Sequence, residues 1–216
     1  MLRADLHVHT EYSPDCNTPL SRIVDHCLEV DINCLAISDH NTTEGALKLK
    51  EKAPFMVIVA EEVMTPYGEI MGMFLEESIP AGVPVAETIA RIRAQGGLVA
   101  IPHPFDRFRN SALKREVIRE LAEHGEIDII EVFNSRTPLY RSSARAKSFA
   151  KKYGLPGSAG SDAHTLKAIG NAFVEMSEFE GRQDFLPALA AGRVFGHRTN
   201  PLVHIRSVVA RFRSKL

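Results

Sequence analysis

Cysteine is scarce: Cys16, Cys27 and Cys34 are the only three in 216 residues, with no CxxC spacing. Their odd count leaves one unpaired in any disulfide scheme, which excludes a disulfide framework and suits a reducing cytosol. No apolar run approaches the ~18 residues of a membrane span, and no basic-then-apolar leader precedes Asp5. Charge of either sign is not in excess. The net value is -1, so the protein as a whole has no field to attract nucleic acid. Linkers, repeats, low-complexity tracts and a GxSxG nucleophile elbow are also missing. With hydrophobic residues at 44% and charged residues at 25%, composition is that of an ordinary globular protein. The expectation is one cytoplasmic domain over residues 1–216.

What is present is an alternation of short apolar runs and helical periodicities. Ala4 to Val8 reads as a first strand. Leu20, Ile23, Val24, Cys27 and Leu28 recur at helical spacing. Cys34 to Ile37 is a buried strand, followed by a helix with Thr42 or Thr43 as N-cap. Phe55 to Ala60 is a strand ending at Glu61-Glu62. Thr65 to Phe74 is a β excursion around Pro66-Tyr67-Gly68 turn chemistry. Val85 to Gln95 is a helix stopped by Gly96-Gly97, and Leu98 to Ile101 a strand. Ala112 to His124 and Leu139 to Tyr153 are helices flanking an Ile127 to Phe133 strand. Gly157 to Gly160 and Ala172 to Met176 are further strands, and Asp184 to Ala191 a last helix. About seven strand–helix alternations predict a parallel sheet or barrel of the α/β class.

Four histidine-bearing clusters fall at strand ends: Asp5-Leu6-His7-Val8-His9-Thr10, Ser38-Asp39-His40-Asn41, Pro102-His103-Pro104 and Ser161-Asp162-Ala163-His164. Residues two apart on a strand share a face, so His7 with His9, and Asp162 with His164, can each serve one ion. Imidazole mixed with carboxylate is the donor set of zinc, manganese or iron. In a parallel barrel the C-terminal strand ends share one face, which makes these distant residues predicted neighbours. Cations there would act as Lewis acids and lower the pKa of a bound water from ~15.7 toward ~7, so that no protein nucleophile is needed.

These motifs, in this order, resemble the polymerase and histidinol phosphatase (PHP) family. The resemblance implies a distorted (β/α)7 barrel holding two or three divalent metal ions (Mn, Zn or Fe) and hydrolysing phosphoesters. Carried over by position, His7 and His9 hold one metal and Asp15 joins His40 on another. Glu62, in Ala60-Glu61-Glu62-Val63, is the bridging acid, with Glu61 the alternative. His103 binds a further ion, and Asp162 and His164 complete the set. A ligand histidine found in some relatives has no counterpart between His40 and His103, which leaves Glu69 or water for that position.

Asp39 and Arg136 are the catalytic candidates. Asp39, like Asp5, either orients a ligand imidazole or touches metal. Asn134 and Arg136, at a strand end, are candidate substrate contacts, Arg136 through a bidentate grip on phosphate. The plain alternatives are turn chemistry for Asp15 and Asn134 and a surface role for Arg136. His26, His124, His197 and His204 read as structural or solvated. The basic tail of Arg206, Arg211, Arg213 and Lys215 reads as a solvated helix end or an RNA contact. The expected partner is a small phosphomonoester, nucleotide or short oligonucleotide, without membrane or duplex DNA. Two other readings are an amidohydrolase-type metal hydrolase and a non-catalytic PHP domain used for protein contacts.

Overall fold

Strands form where short runs rich in Val, Ile and Ala lie between turn residues. In the computed structural model, described over residues 1–199, they are β1 (Leu2–Val8), β2 (Cys34–Ile37), β3 (Met56–Thr65), β4 (Gly68–Met73), β5 (Leu98–Ile101), β6 (Ile129–Asn134), β7 (Gly157–Gly160), β8 (Ala172–Met176) and β9 (Arg193–Gly196). The helices are α1 (Leu20–Glu29), α2 (Glu44–Lys50), α3 (Val85–Ala94), α4 (Arg115–Glu123), α5 (Tyr140–Tyr153) and α6 (Arg182–Ala190). His204 and the basic tail lie outside the described residues. No described helix is long and apolar enough to cross a membrane.

The strands make one sheet in the order β7-β6-β5-β4-β3-β2-β1-β8-β9. β1, β2 and β3 run parallel, as do β5, β6 and β7, while β4 is antiparallel to both its neighbours. The sheet curls until its ends meet. Val8 bridges Ala163, the Asp162 N–H donates to the His7 carbonyl at 2.8 Å, and the His9 N–H donates to the Ala163 carbonyl at 3.0 Å. The result is a nearly closed, distorted barrel of β1 to β7. The lower part of β1 pairs instead with β8, Leu2 opposite Met176 and Ala4 opposite Val174. The seam requires Gly160: a Cβ there would overlap the Cβ of His7 and lie 2.7 Å from its backbone nitrogen.

Two apolar layers result. Leu2, Ala4, Leu6, Ala36, Ala60, Ala100 and Ala159 point inward, with Phe179 and Phe185 in the same cluster. Val8, Leu35, Ile37, Val59, Ile101 and Ile130 point outward onto Ile23, Leu49, Ile92 and Ile118 of the helices. Alanines on five strands narrow the interior.

Three differences from the sequence reading have local causes. β3 does not end at Ala60 but continues to Thr65, because β4 pairs with it through Glu61 opposite Gly72 and Glu62 opposite Met71. α4 starts at Arg115 rather than Ala112. The segment before it is tied to the β3–β4 turn, with the Glu69 N–H donating to the Ser111 carbonyl and the Lys114 N–H to the Tyr67 carbonyl. β9 carried no sequence expectation; it is a short strand that, among the described residues, pairs with β8 alone.

Candidate metal centre

Two β-bulges aim the polar side chains. Regular alternation along β1 would send Leu6 inward and His7 outward. The register shifts between Asp5 and Val8, so Leu6 joins the inner cluster, Val8 the outer one, and His7 and His9 both turn into the barrel mouth. A second shift between Glu131 and Phe133 in β6 lets Glu131 and Asn134, three residues apart, reach the same place.

The histidines converge on Glu62. Its Oε1 lies 3.3 Å from His7 Nε2 and 2.9 Å from His103 Nε2, and its Oε2 lies 3.4 Å from both His9 Nε2 and His40 Nδ1. Glu69 stands opposite, 3.3 Å from His40 Nδ1 and 3.4 Å from His103 Nε2. On the other side Asp162 Oδ1 is 3.5 Å from His9 Nε2, and Asp15 Oδ2 is 3.0 Å from His164 Nε2 and 3.6 Å from His40 Nε2. His7, His9, Glu62, Glu69, His103 and Asp162 are buried. His103 and Asp162 adopt φ of 31° and 52°, in the left-handed region that disfavours side chains, so the surrounding contacts hold both against local strain.

Every residue read from the sequence as a metal ligand therefore reaches this cluster. Overlapping groups with donor atoms close enough for one ion are His9-Asp15-His40-His164, His7-His103-Asp162, His7-His9-Glu62 and His40-Glu62-Glu69. The donors fit metal ions on the structure's own terms. The Nε2 atoms of His7 and His9 face each other at 3.2 Å, where two lone pairs repel unless a proton or cation lies between them. Glu62 Oε2, Glu69 Oε2 and His103 Nδ1 are buried without a hydrogen-bond partner among the described residues, an arrangement costly for carboxylates left alone.

Electrostatics follow the same logic. Burial opposes the charge on Glu62, but His7, together with the adjacent His103 and His9 imidazoles, holds its carboxyl well below the ordinary range. Asp162, also opposed by burial, is held low by Arg109, Arg136 and His7. Burial alone would lower the His7 pKa; Glu62, Asp162 and Glu131 outweigh it and raise the value. His40 is pushed up to about 9, burial being overcome by Asp15, Glu62 and Glu69. His164 is brought down to about 4 by burial and the nearby His9.

The remaining candidates occupy different places. Glu61 points away from the cluster and accepts the Ile79 N–H at 3.0 Å. Asp39 accepts the Thr10 N–H at 2.6 Å and its hydroxyl at 2.7 Å, fixing the loop after β1 rather than an imidazole. Asp5 accepts the backbone N–H groups of Ser161 and Gly170, at 2.8 and 2.9 Å, stitching β1 to the loop after β7. Asn134 donates to Glu131 at 3.0 Å and to Asp162 at 3.2 Å. Arg136 places Nη1 3.2 Å from Asp162 Oδ1 and 2.6 Å from His164 Nδ1. Its Nη2 and Nε make no hydrogen bond among the described residues. Cys16 and Arg22 stand in a CxxxxxR spacing, yet Cys16 is buried on the His9 carbonyl and Thr18, and burial raises its thiol pKa, the reverse of a thiolate nucleophile.

Two residues went unassigned or nearly so. Glu131 lies 3.1 Å from His7 Nδ1 and accepts the His103 N–H. Its one sequence signal is a lone acid inside the apolar run Ile129 to Phe133. Arg109, on the loop after β5, donates to Asp162 Oδ2; its sequence signal is its place just beyond Pro102-His103-Pro104, where it and Arg107 stand as alternative phosphate contacts.

The PHP domain family matches residues 5–63, and the PHP-associated family matches residues 141–194. Uncharacterized protein MJ0417 of Methanocaldococcus jannaschii is 36% identical over 178 residues, covering 82% of this chain and 71% of the relative. Uncharacterized protein MJ1587 of the same organism is 37% identical over 147 residues, 62% of this chain and 82% of that one. Among solved structures, a two-domain protein from Bacteroides vulgatus containing a predicted PHP-like metal-dependent phosphoesterase aligns with a TM-score of 0.72 at 18% identity, over 91% of this chain. The chain spans 65% of that protein's length. An amidohydrolase from Chromobacterium violaceum, with bound sulfate and no metal, aligns with a TM-score of 0.65 at 15% identity, over 89% of this chain and 97% of the other. At such identities the structural likenesses speak for the fold.

Proposed function

From the premise that this chain belongs to the PHP family, we propose that it is a metal-dependent phosphoesterase acting on a small phosphomonoester, nucleotide or short oligonucleotide. The observation that carries this reading is the convergence on Glu62, whose two oxygens lie within 3.4 Å of nitrogens from His7, His9, His40 and His103. A carboxylate shared in this way suits a bridge between cations. Two or three divalent ions (Mn, Zn or Fe), when bound, supply Lewis acidity toward a phosphoryl group and acidify water.

The chain's own residues prepare for that chemistry. Glu131 accepts the Nδ1 proton of His7, which fixes the tautomer that leaves Nε2 as donor to an ion. The same carboxylate, through its second oxygen, holds the His103 backbone and the Asn134 amide, so three strand ends keep one spacing. Arg109 and Arg136 steady Asp162 from two sides. Arg136 keeps Nη2 and Nε for a phosphate, and its side chain is 21% exposed at the mouth.

The test is metal content measured alongside hydrolysis of an aryl phosphate and of an aryl amide. The reading expects bound transition metal and phosphatase turnover that chelation abolishes. Amide hydrolysis in place of phosphate hydrolysis would move the protein to the amidohydrolase class, with which it shares a fold. Turnover persisting in verified metal-free protein would overturn the metal mechanism.

A further inference from the structure

Averaged over the sequence, charge nearly cancels at -1; across two helices beside the metal centre it does not. α5 carries Arg141, Arg145, Lys147, Lys151 and Lys152 and no acid. Arg141, Arg145 and Lys152, spaced by four and seven residues, share one helical face. With Arg115 and Arg119 of α4 they line a groove of about 660 Å³. Glu116 and Glu120 of α4 instead line a separate groove with α3 residues. The five groove cations are exposed, and none makes an ion pair among the described residues.

Between the cations the lining is three aromatic rings with the small Ala144 and Ser148. Phe149 lies 5.5 Å from the ring of Phe105 and 4.5 Å from that of Tyr153, and all three are half-buried. Lys152 lies 4.5 Å from the centre of the Tyr153 ring and Arg115 5.9 Å from that of Phe105. The groove begins at the wall of the metal centre. Phe105 is two residues beyond His103, and its carbonyl accepts the Ser142 hydroxyl at 3.1 Å. From there α5 leads away, with Arg141 and Lys152 about 16 Å apart along its axis at ~1.5 Å per residue.

We propose that the α4–α5 groove is a track for single-stranded nucleic acid, its cations on successive phosphates and its aromatic faces beneath bases. Cations interleaved with aromatic rings are what a flexible phosphodiester strand uses, because every base offers a π-face. An acidic peptide would use the charges and leave the rings idle. A membrane would meet a flat or convex apolar face, and this one is concave. A crevice between two helices likewise receives a single strand rather than the convex surface of a duplex. The connection of the track to catalysis rests on the phosphoesterase reading; the binding does not.

The test is fluorescence anisotropy of a labelled oligouridylate with the intact protein, between roughly 50 and 200 mM salt. Binding should weaken with salt by a log–log slope of about 0.7 for each phosphate neutralised. R119E/R145E should lose at least ~10-fold in affinity, and the milder R119Q/R145Q should flatten the slope by about 1.4, two contacts' worth. Hydrolysis of an aryl phosphate should stay at the wild-type rate in both variants. Oligouridylate binding with this variant pattern supports the track even if the protein hydrolyses no phosphate, in which case only the phosphoesterase reading falls. Absent binding, wild-type affinity in both variants, or equal affinity for polyglutamate or phosphatidylglycerol vesicles would overturn it.

Discussion

Glu131 Oε1 lies 3.1 Å from Nδ1 of His7, joining residues 124 apart in sequence across the barrel. The contact does for the histidine what an ion alone cannot, since it sets ring rotation and tautomer before any metal arrives.

Glu131→Ala should therefore weaken metal affinity by roughly 10- to 100-fold while leaving all the proposed ligands in the chain. Isothermal titration of the metal-depleted protein with zinc or manganese measures it. Unchanged affinity would mean that His7 holds its orientation without this partner.

Glu62→Gln keeps the volume of the side chain but removes the charge on which four imidazoles converge. Activity on an aryl phosphate should fall at least ~100-fold, with metal content reduced in parallel. Glu61→Gln should leave both nearly unchanged. Opposite behaviour of the two variants would show that Glu61, rather than Glu62, serves the centre.

Glu61 gives a pH prediction of its own. Burial pushes its carboxyl up from 4.5 to about 7, partly offset by the Ile79 N–H. The folded state then holds the proton more tightly than the unfolded chain. This group's stabilising share is complete below about pH 4.5, declines as pH rises toward 7 and stays lost above it. Glutamine, neutral throughout and still able to accept from Ile79, should raise stability at pH 8 by on the order of 2 kcal/mol, with little effect at the acid end of that window. Urea midpoints of the two proteins at both pH values would reveal the difference; a constant gap would assign it to packing.

Arg136→Ala should weaken phosphomonoester binding by about 2 kcal/mol, near 30-fold, with metal content maintained because Arg109 still holds Asp162. Lysine should recover little, lacking the planar fork. Product inhibition by inorganic phosphate reads the change directly. Equal inhibition of mutant and parent would leave Arg136 only its contacts to Asp162 and His164.

Sequence reading succeeded where the signal is local. Cys34–Ile37, Leu98–Ile101, Gly157–Gly160 and Ala172–Met176 are strands with the bounds their turn residues suggested. The His7-Val8-His9 and Asp162-Ala163-His164 motifs bring their residues to the cluster, though Asp162 and His164 do so from a loop beyond β7 and fall in different donor groups rather than sharing a strand face. It failed where geometry is made by pairing. Both bulges depend on the neighbouring strand, so neither the inward turn of Asn134 nor the reach of Glu131 is written in the alternation of β6. Asp39 looks like a partner for histidine because His40 follows it, yet the barrel turns it toward Thr10. The basic groove is invisible to a net charge, because Glu116 and Glu120 cancel Arg115 and Arg119 in any sum while lining a different groove.

β1 has a further consequence in time. It is made before every other described strand, yet it closes against Asp162, Ala163 and β8, which follow after most of the described chain. Until residues 162–163 emerge, His7 and His9 have strand neighbours on one side alone, and the slow, long-range closure of the barrel must wait. A chain interrupted before Asp162 lacks Asp162, His164 and the seam. Assembly of the metal centre is thus gated at the seam, where an early strand waits for a late one.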